Sequence, residues 1–246
     1  MGSYVYKKHY DYVASFGCMC SCAIFLRQNG FRSKSTFFDW LDSGIKENIN
    51  ILQKDFVLLL DKNYLSQKYP NELNCVYNSL YNITFVHLFD IYKTFDEQYE
   101  KVIAKVEKSI ANFKTMLTKS LLLVYYCRKK EEQGWIVENQ EFLRSFCMNY
   151  KVDIIFVFNY NNIPQDFIFA YFVIPFNNTH LPFGGGVSYP FTNCQALMEW
   201  IKDKYNEDDL KLNLLFEIKT KKRSKVSRWK NIINKFRKKR LILENA

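Results

Sequence analysis

Tyr12-Val13-Ala14-Ser15-Phe16-Gly17-Cys18-Met19-Cys20-Ser21-Cys22-Ala23 decides the fold. Tyr12 to Phe16 is a short run with β-branched and aromatic residues, ended by Gly17, and reads as a strand. Cys20 to Asn29 carries Ala23, Ile24 and Leu26 and stops at Asn29-Gly30, which reads as a helix. A strand, a tight turn and a helix in immediate succession are the opening of an α/β domain.

Downstream the same alternation continues. Phe38 to Leu60 is largely helical in pattern, and Ile83 to Val86 reads as a short strand running into His87. From Tyr99, the apolar residues Val102, Val106, Ile110, Phe113 and Leu117 recur every three or four positions and predict a long helix. Leu121 to Tyr126 and Ile154 to Phe158 are unbroken apolar runs, as in strands covered on both faces. Glu138 to Met148 reads as a helix, Ile168 to Ile174 as a strand, Cys194 to Tyr205 as a helix and Leu212 to Ile218 as a last strand. The expected fold is therefore α/β: a mostly parallel sheet flanked by helices over residues 1–218, with a basic helical tail over 219–246.

With 246 residues, 48% hydrophobic and 17% aromatic, and only 8 Gly and 5 Pro, the chain is neither collagen-like nor disordered. Its longest apolar run, Phe167 to Pro175, is too short to cross a bilayer. The start of the chain lacks the apolar core and cleavage site of a secretory signal. Seven cysteines, an odd number in a chain of this size, suit reduced thiols in a cytoplasmic setting. Cys18, Cys20 and Cys22 alternate, which is not the spacing of a zinc site, so neither a metal nor another cofactor is expected.

Ligand sites of open α/β sheets lie beyond the carboxyl ends of the strands. Those ends carry Gly17-Cys18-Met19-Cys20, then His87 and Asp90, then Cys127-Arg128, then Asn159. Cys20 sits at the start of a helix, where unpaired N–H groups favour a thiolate. An imidazole would take its proton, and a carboxylate or carboxamide would orient that imidazole: His87 with Asp39, Asp90 or Asn159. His180, beside the Gly184-Gly185-Gly186 turn, is a rival base. Residue types alone equally fit an inert, buried cysteine and a satisfied core histidine.

Ser15-Phe16-Gly17-Cys18-Met19-Cys20-Ser21-Cys22-Ala23, with Leu26-Arg27, Gly30-Phe31-Arg32, Ser35 and Phe38-Asp39-Trp40, resembles the signature of a family of papain-like cysteine peptidases of bacteria. The resemblance covers about residues 10 to 160. It implies Cys20 as nucleophile, His87 as base and Asp39 as the third catalytic residue; Gly17, Arg27 and Arg32 of the quoted stretch, with Arg128 and Asn159 just past their strands, are the candidate substrate-binding residues. Several members occur with surface-polysaccharide machinery, which implies a glycan or acylated substrate. The chain departs from the family pattern at Phe37, where the family has Pro, and at Glu107-Lys108, where it has Arg-Arg. The implied function is a cysteine peptidase or a related thiol-dependent hydrolase or transferase; the alternative is a non-catalytic, ligand-binding adaptor.

The net charge of +10 is concentrated in one place: Lys219 to Arg240 holds twelve Lys/Arg and no Asp/Glu. Val226, Trp229, Ile233 and Phe236 fall at helical spacing among them, which describes a basic amphipathic helix. An anionic membrane surface or an acidic protein is the expected partner, ahead of nucleic acid, and would hold the protein peripherally at the inner face of the membrane.

Overall fold

The computed structural model describes residues 4–7, 9–18, 20–67, 75–86, 88–90, 93–174 and 194–204. The expectations for His87, His180, the Gly184–Gly186 turn, the strand at 212–218 and the tail at 219–246 lie outside them.

A four-stranded, all-parallel sheet organises the chain, built from β1 (Tyr12–Ser15), β6 (Leu121–Cys127), β7 (Val152–Phe158) and β8 (Tyr171–Val173) in that spatial order. Every residue of β6 and β7 is buried, which is why their sequences are apolar throughout rather than alternating. One face packs Val13, Leu122, Val124, Tyr126, Ile155 and Val157 against α1 (Cys20–Gln28) and α6 (Gln195–Lys204). The opposite face packs Leu121, Leu123, Tyr125, Ile154 and Phe156 against α3 (Phe95–Leu117), α4 (Lys130–Glu138) and α5 (Gln140–Tyr150). Each fully buried Leu, Ile, Val or Phe contributes roughly 1.5–3 kcal/mol, so this doubly covered sheet is the principal source of stability.

A second, antiparallel sheet has the order β2-β5-β4-β3, from β2 (Leu41–Asp42), β3 (Leu65–Gln67), β4 (Cys75–Asn78) and β5 (Ile83–Val86). The turn between β4 and β5 is fixed by Asn78, whose Oδ1 accepts from the Tyr81 amide at 2.9 Å, and by the left-handed Asn82. Ile83 to Val86 is thus a strand as the sequence reads, but of this smaller sheet and not of the parallel one. The helix expected over 38–60 is likewise shorter. The 3-10 turn Phe37–Trp40 and β2 come first, and α2 is confined to Ile45–Gln53. It ends because Asp55, Phe56 and Leu58 adopt positive φ. Between β6 and β7 two helices replace the one expected, meeting at Asn139. The first escapes a periodicity reading because only Gln133 and Ile136 of its nine residues are buried.

The N-terminal segment is strapped across the parallel sheet. Asp153 of β7, 5% exposed, accepts from the Tyr4 and Tyr10 hydroxyls, each at 2.6 Å. Tyr6 donates to the Ile154 carbonyl at 2.6 Å and accepts from the Ala170 amide at 2.9 Å. Burial pushes all three phenols up, so they remain neutral donors.

Candidate functional site

After β1 the chain enters α1 on one face of the parallel sheet; after β6 it enters α4 and α5 on the other. Adjacent strands whose connections leave to opposite faces open a crevice at their carboxyl ends, the usual ligand position in such sheets. Gly17 and Cys18 line this crevice from β1, and Arg128 lines it from β6.

The turn out of β1 is tight. Gly17 has φ +101° and Cys18 has φ +57°, so two successive residues occupy backbone space that L side chains avoid. A Cβ on Gly17 would stand 2.5 Å from Asn48 Nδ2 and 3.0 Å from Ser43 Oγ. Asn48 occupies that space because its Nδ2 donates to the Phe16 carbonyl, tying α2 to the end of β1. Left-handed backbone at a non-glycine residue marks Cys18 as a position held by its surroundings.

Arg128 Nε donates to Cys18 Sγ at 3.4 Å, and its second arm meets Asp42 Oδ1 at 3.1 Å. The guanidinium thereby joins the parallel sheet to β2 of the second sheet. Glu132, in the first turn of α4, accepts from the Ile45 amide at 2.8 Å and from the Tyr125 hydroxyl at 2.7 Å, while Cys127 Sγ lies 3.6 Å from its other oxygen. Ile45 is the first residue of α2 and its cap residue is Gly44, which has no side chain to give; Glu132 supplies the missing acceptor from another element. A cleft of about 350 Å³ opens here, with Cys18, Asp42, Ser43, Thr84, Lys129 and Glu132 in its lining. Ser43 Oγ, on its wall, is buried without a hydrogen-bond partner. Among the described residues no group of three or more His, Cys, Asp or Glu is placed to hold a metal ion.

Cys20 opens α1, as the sequence predicts, and is partly exposed. Burial raises its thiol above the ordinary range, while its own backbone N–H and the charge of Arg128 act the other way. Cys18, 3% exposed, is also pushed up by burial and is drawn back by Arg128. Cys22 is fully buried in the core beneath α1, and burial pushes its thiol up to about 12.

The other expected site residues divide. Asp39 and Arg32 meet each other: Arg32 Nη1 stands 2.8 Å from Asp39 Oδ2, with the two side chains 8% and 0% exposed. Asp39 also accepts from Ser35 Oγ at 2.9 Å, the Thr36 amide at 2.8 Å and Thr36 Oγ1 at 2.9 Å. Its oxygens are thus engaged in closing the 3-10 turn that follows Thr36. Burial pushes the carboxyl up, and Arg32, Thr36 and Ser35 pull it back. Arg27 is exposed in the last turn of α1. Asn159 follows β7, is 8% exposed and accepts from the Tyr126 hydroxyl at 2.7 Å. Gly17 and Arg128 stand at the β1–β6 crevice, and Cys20 is near enough to Arg128 to feel its charge; the cleft itself is lined by Cys18 and not by Cys20. Cys18, Asp42 and Glu132 join them without having been singled out. Asp42 and Glu132 reach the crevice through the second sheet and the α4 turn, neither of which the hydrophobic pattern reveals.

Comparison with family models, with curated proteins and with solved structures finds no match to this chain.

Proposed function

We propose that the chain is a thiol-dependent hydrolase or group transferase of papain-like character, with Cys20 as nucleophile. One observation carries the reading: Cys20 opens α1 just beyond the carboxyl end of β1, where its own N–H and the charge of Arg128 partly offset the burial that raises its thiol. Because burial opposes them, the thiol needs a base to take its proton as it attacks, in the manner of a hydroxyl nucleophile. The sulfur then forms a bond to an acyl carbon, the bond to the leaving group breaks, and the leaving group departs with that proton. Water or an acceptor hydroxyl releases the acyl group in a second step. His87 is the proposed base from the sequence resemblance, and a surface-glycan or acylated substrate rests on the same resemblance. Arg128 is a positioning residue that holds Cys18 and Asp42 around the cleft.

Site-resolved alkylation with iodoacetamide tests this. Cys20 should label faster at neutral pH than the other six cysteines, including Cys75 and Cys194, which are partly exposed as it is, and His87→Ala should slow it. Equal labelling of all cysteines, or labelling only after denaturation, would remove Cys20 as nucleophile.

The raised thiols favour a second reading: a non-catalytic body that binds a ligand in the 350 Å³ cleft and docks through residues 219–246 to membrane-bound machinery. It becomes the better account if the unsubstituted chain binds a ligand without turning it over and Cys20→Ser leaves that binding intact.

A further inference from the structure

A second cleft, of about 520 Å³, lies between α3 and the 34–40 segment. Lys34 lines it from that segment, and Lys105 and Lys108, one helical turn apart, line it from α3. No Asp or Glu contributes to its described lining, whereas the crevice cleft carries Asp42, Glu47, Glu131 and Glu132. Among the described residues none of the three lysines forms an ion pair. Three ammonium groups around one concavity repel one another, and the repulsion is relieved when an anion enters.

The remaining walls say what else the anion should carry. Phe37, Val106 and Leu88 give an apolar floor, and the half-buried Trp40 adds an aromatic side. Aromatic and apolar surface beside convergent cations suits a ligand with an organic part as well as a charge. The two walls are also fixed to each other: Asn112 Nδ2 of α3 donates to the Ser35 carbonyl at 3.0 Å, and Ser35 Oγ is itself bonded to the buried Asp39. The lysine backbones are therefore held in place before any ligand arrives.

We propose that this cleft binds an organic phosphate, with the phosphate among Lys34, Lys105 and Lys108 and the organic part against Trp40 and Leu88. The proposal stands apart from the thiol reading, since it uses none of the same side chains. Calorimetric titration of the full chain tests it with glucose 1-phosphate, uridine monophosphate, inorganic phosphate and glucose as probes. One or both organic phosphates should bind saturably, inorganic phosphate more weakly, and glucose not at all. The preferred organic phosphate identifies the source.

In the full chain carrying Lys34→Gln, Lys105→Gln and Lys108→Gln together, affinity for the organic phosphate should fall about tenfold or more. These lysines are exposed, so an unchanged urea midpoint shows that the variant still folds. Trp40→Phe should weaken the organic phosphate and leave inorganic phosphate unchanged. Equal affinity in the triple variant would place the anion elsewhere, on the basic 219–246 segment for instance, and overturn the proposal. So would the absence of saturable binding by either organic phosphate.

Discussion

Gly17 has the most constrained surroundings of the residues at the β1 turn. Its φ of +101° and the 2.5 Å approach of Asn48 to the space of a Cβ act together. Gly17→Ala should therefore cost more than the ~1 kcal/mol of a left-handed alanine, because Asn48 must also release the Phe16 carbonyl. Urea denaturation measures the loss, and a neutral result would mean that the turn adapts. Asp39 makes a contrasting case. With Arg32 and both Thr36 donors on its carboxylate, Asp39→Asn should destabilise by about 3–5 kcal/mol by leaving the Arg32 charge uncompensated. A change in Cys20 labelling rate without a loss of stability would instead give Asp39 a part in the chemistry. Arg128 acts on Cys20 through charge alone, so Arg128→Gln should raise that thiol further and slow its alkylation at pH 8 by about threefold. An unchanged rate would separate Arg128 from the thiol.

At the scale of elements, α3 begins with a reciprocal cap. Thr94 N and Oγ1 donate to Glu97 Oε2 at 2.7 and 2.8 Å, and the Glu97 amide returns a bond to Thr94 Oγ1. Thr94→Ala should cost about 1 kcal/mol at neutral pH. Because those bonds favour the ionised form, Glu97 titrates below its ordinary range in the folded protein. Its contribution is thus complete above the ordinary carboxylate range and fades as pH falls through the lowered value. The penalty of Thr94→Ala, read from urea midpoints at successive pH values, should shrink in the same direction; a constant or growing penalty would show that the box is not formed.

α3, β6 and β7 were legible because one apolar stripe or one unbroken apolar run states its own burial. The strand, turn and helix from Tyr12 to Gln28 were legible because Gly17 interrupts two different periodicities. β2, β3 and β4 were not, since two to four residues are too few for a period to register and their pairing is set by distant partners. The site was legible to the same degree. Cys20 and Arg128 follow recognisable elements. Cys18 reaches the cleft only because a left-handed backbone turns it there, and Glu132 matters only because Gly44 leaves α2 without a cap.

Over the whole sequence, positive charge is concentrated toward one end. Twelve Lys/Arg fall within residues 219–240, and Trp229, Ile233 and Phe236 supply apolar positions among them. Each basic residue near an anionic surface contributes about 1 kcal/mol, screened by salt, whereas apolar burial is not screened. The full chain should therefore sediment with anionic vesicles and not with zwitterionic ones, less so at high salt and less so with Trp229→Ala and Phe236→Ala combined. Equal sedimentation with both vesicle types would remove the electrostatic account, and tighter, salt-sensitive binding to RNA or DNA would replace a membrane with nucleic acid.

The parallel pairing of Tyr12–Ser15 with Leu121–Val124 sets a timetable for synthesis. The first strand leaves the ribosome long before its neighbour exists, and at about 5–20 residues per second the wait for β6 lasts on the order of 5–20 s. The Tyr4 and Tyr10 hydroxyls wait longer still, for Asp153. Through that interval Tyr10, Val13 and Phe16, all buried once folding is complete, have no sheet to cover them. A nascent chain with these side chains uncovered is a client for whatever shields hydrophobic segments at the exit tunnel, and it becomes independent of that help only when residues beyond 153 have emerged.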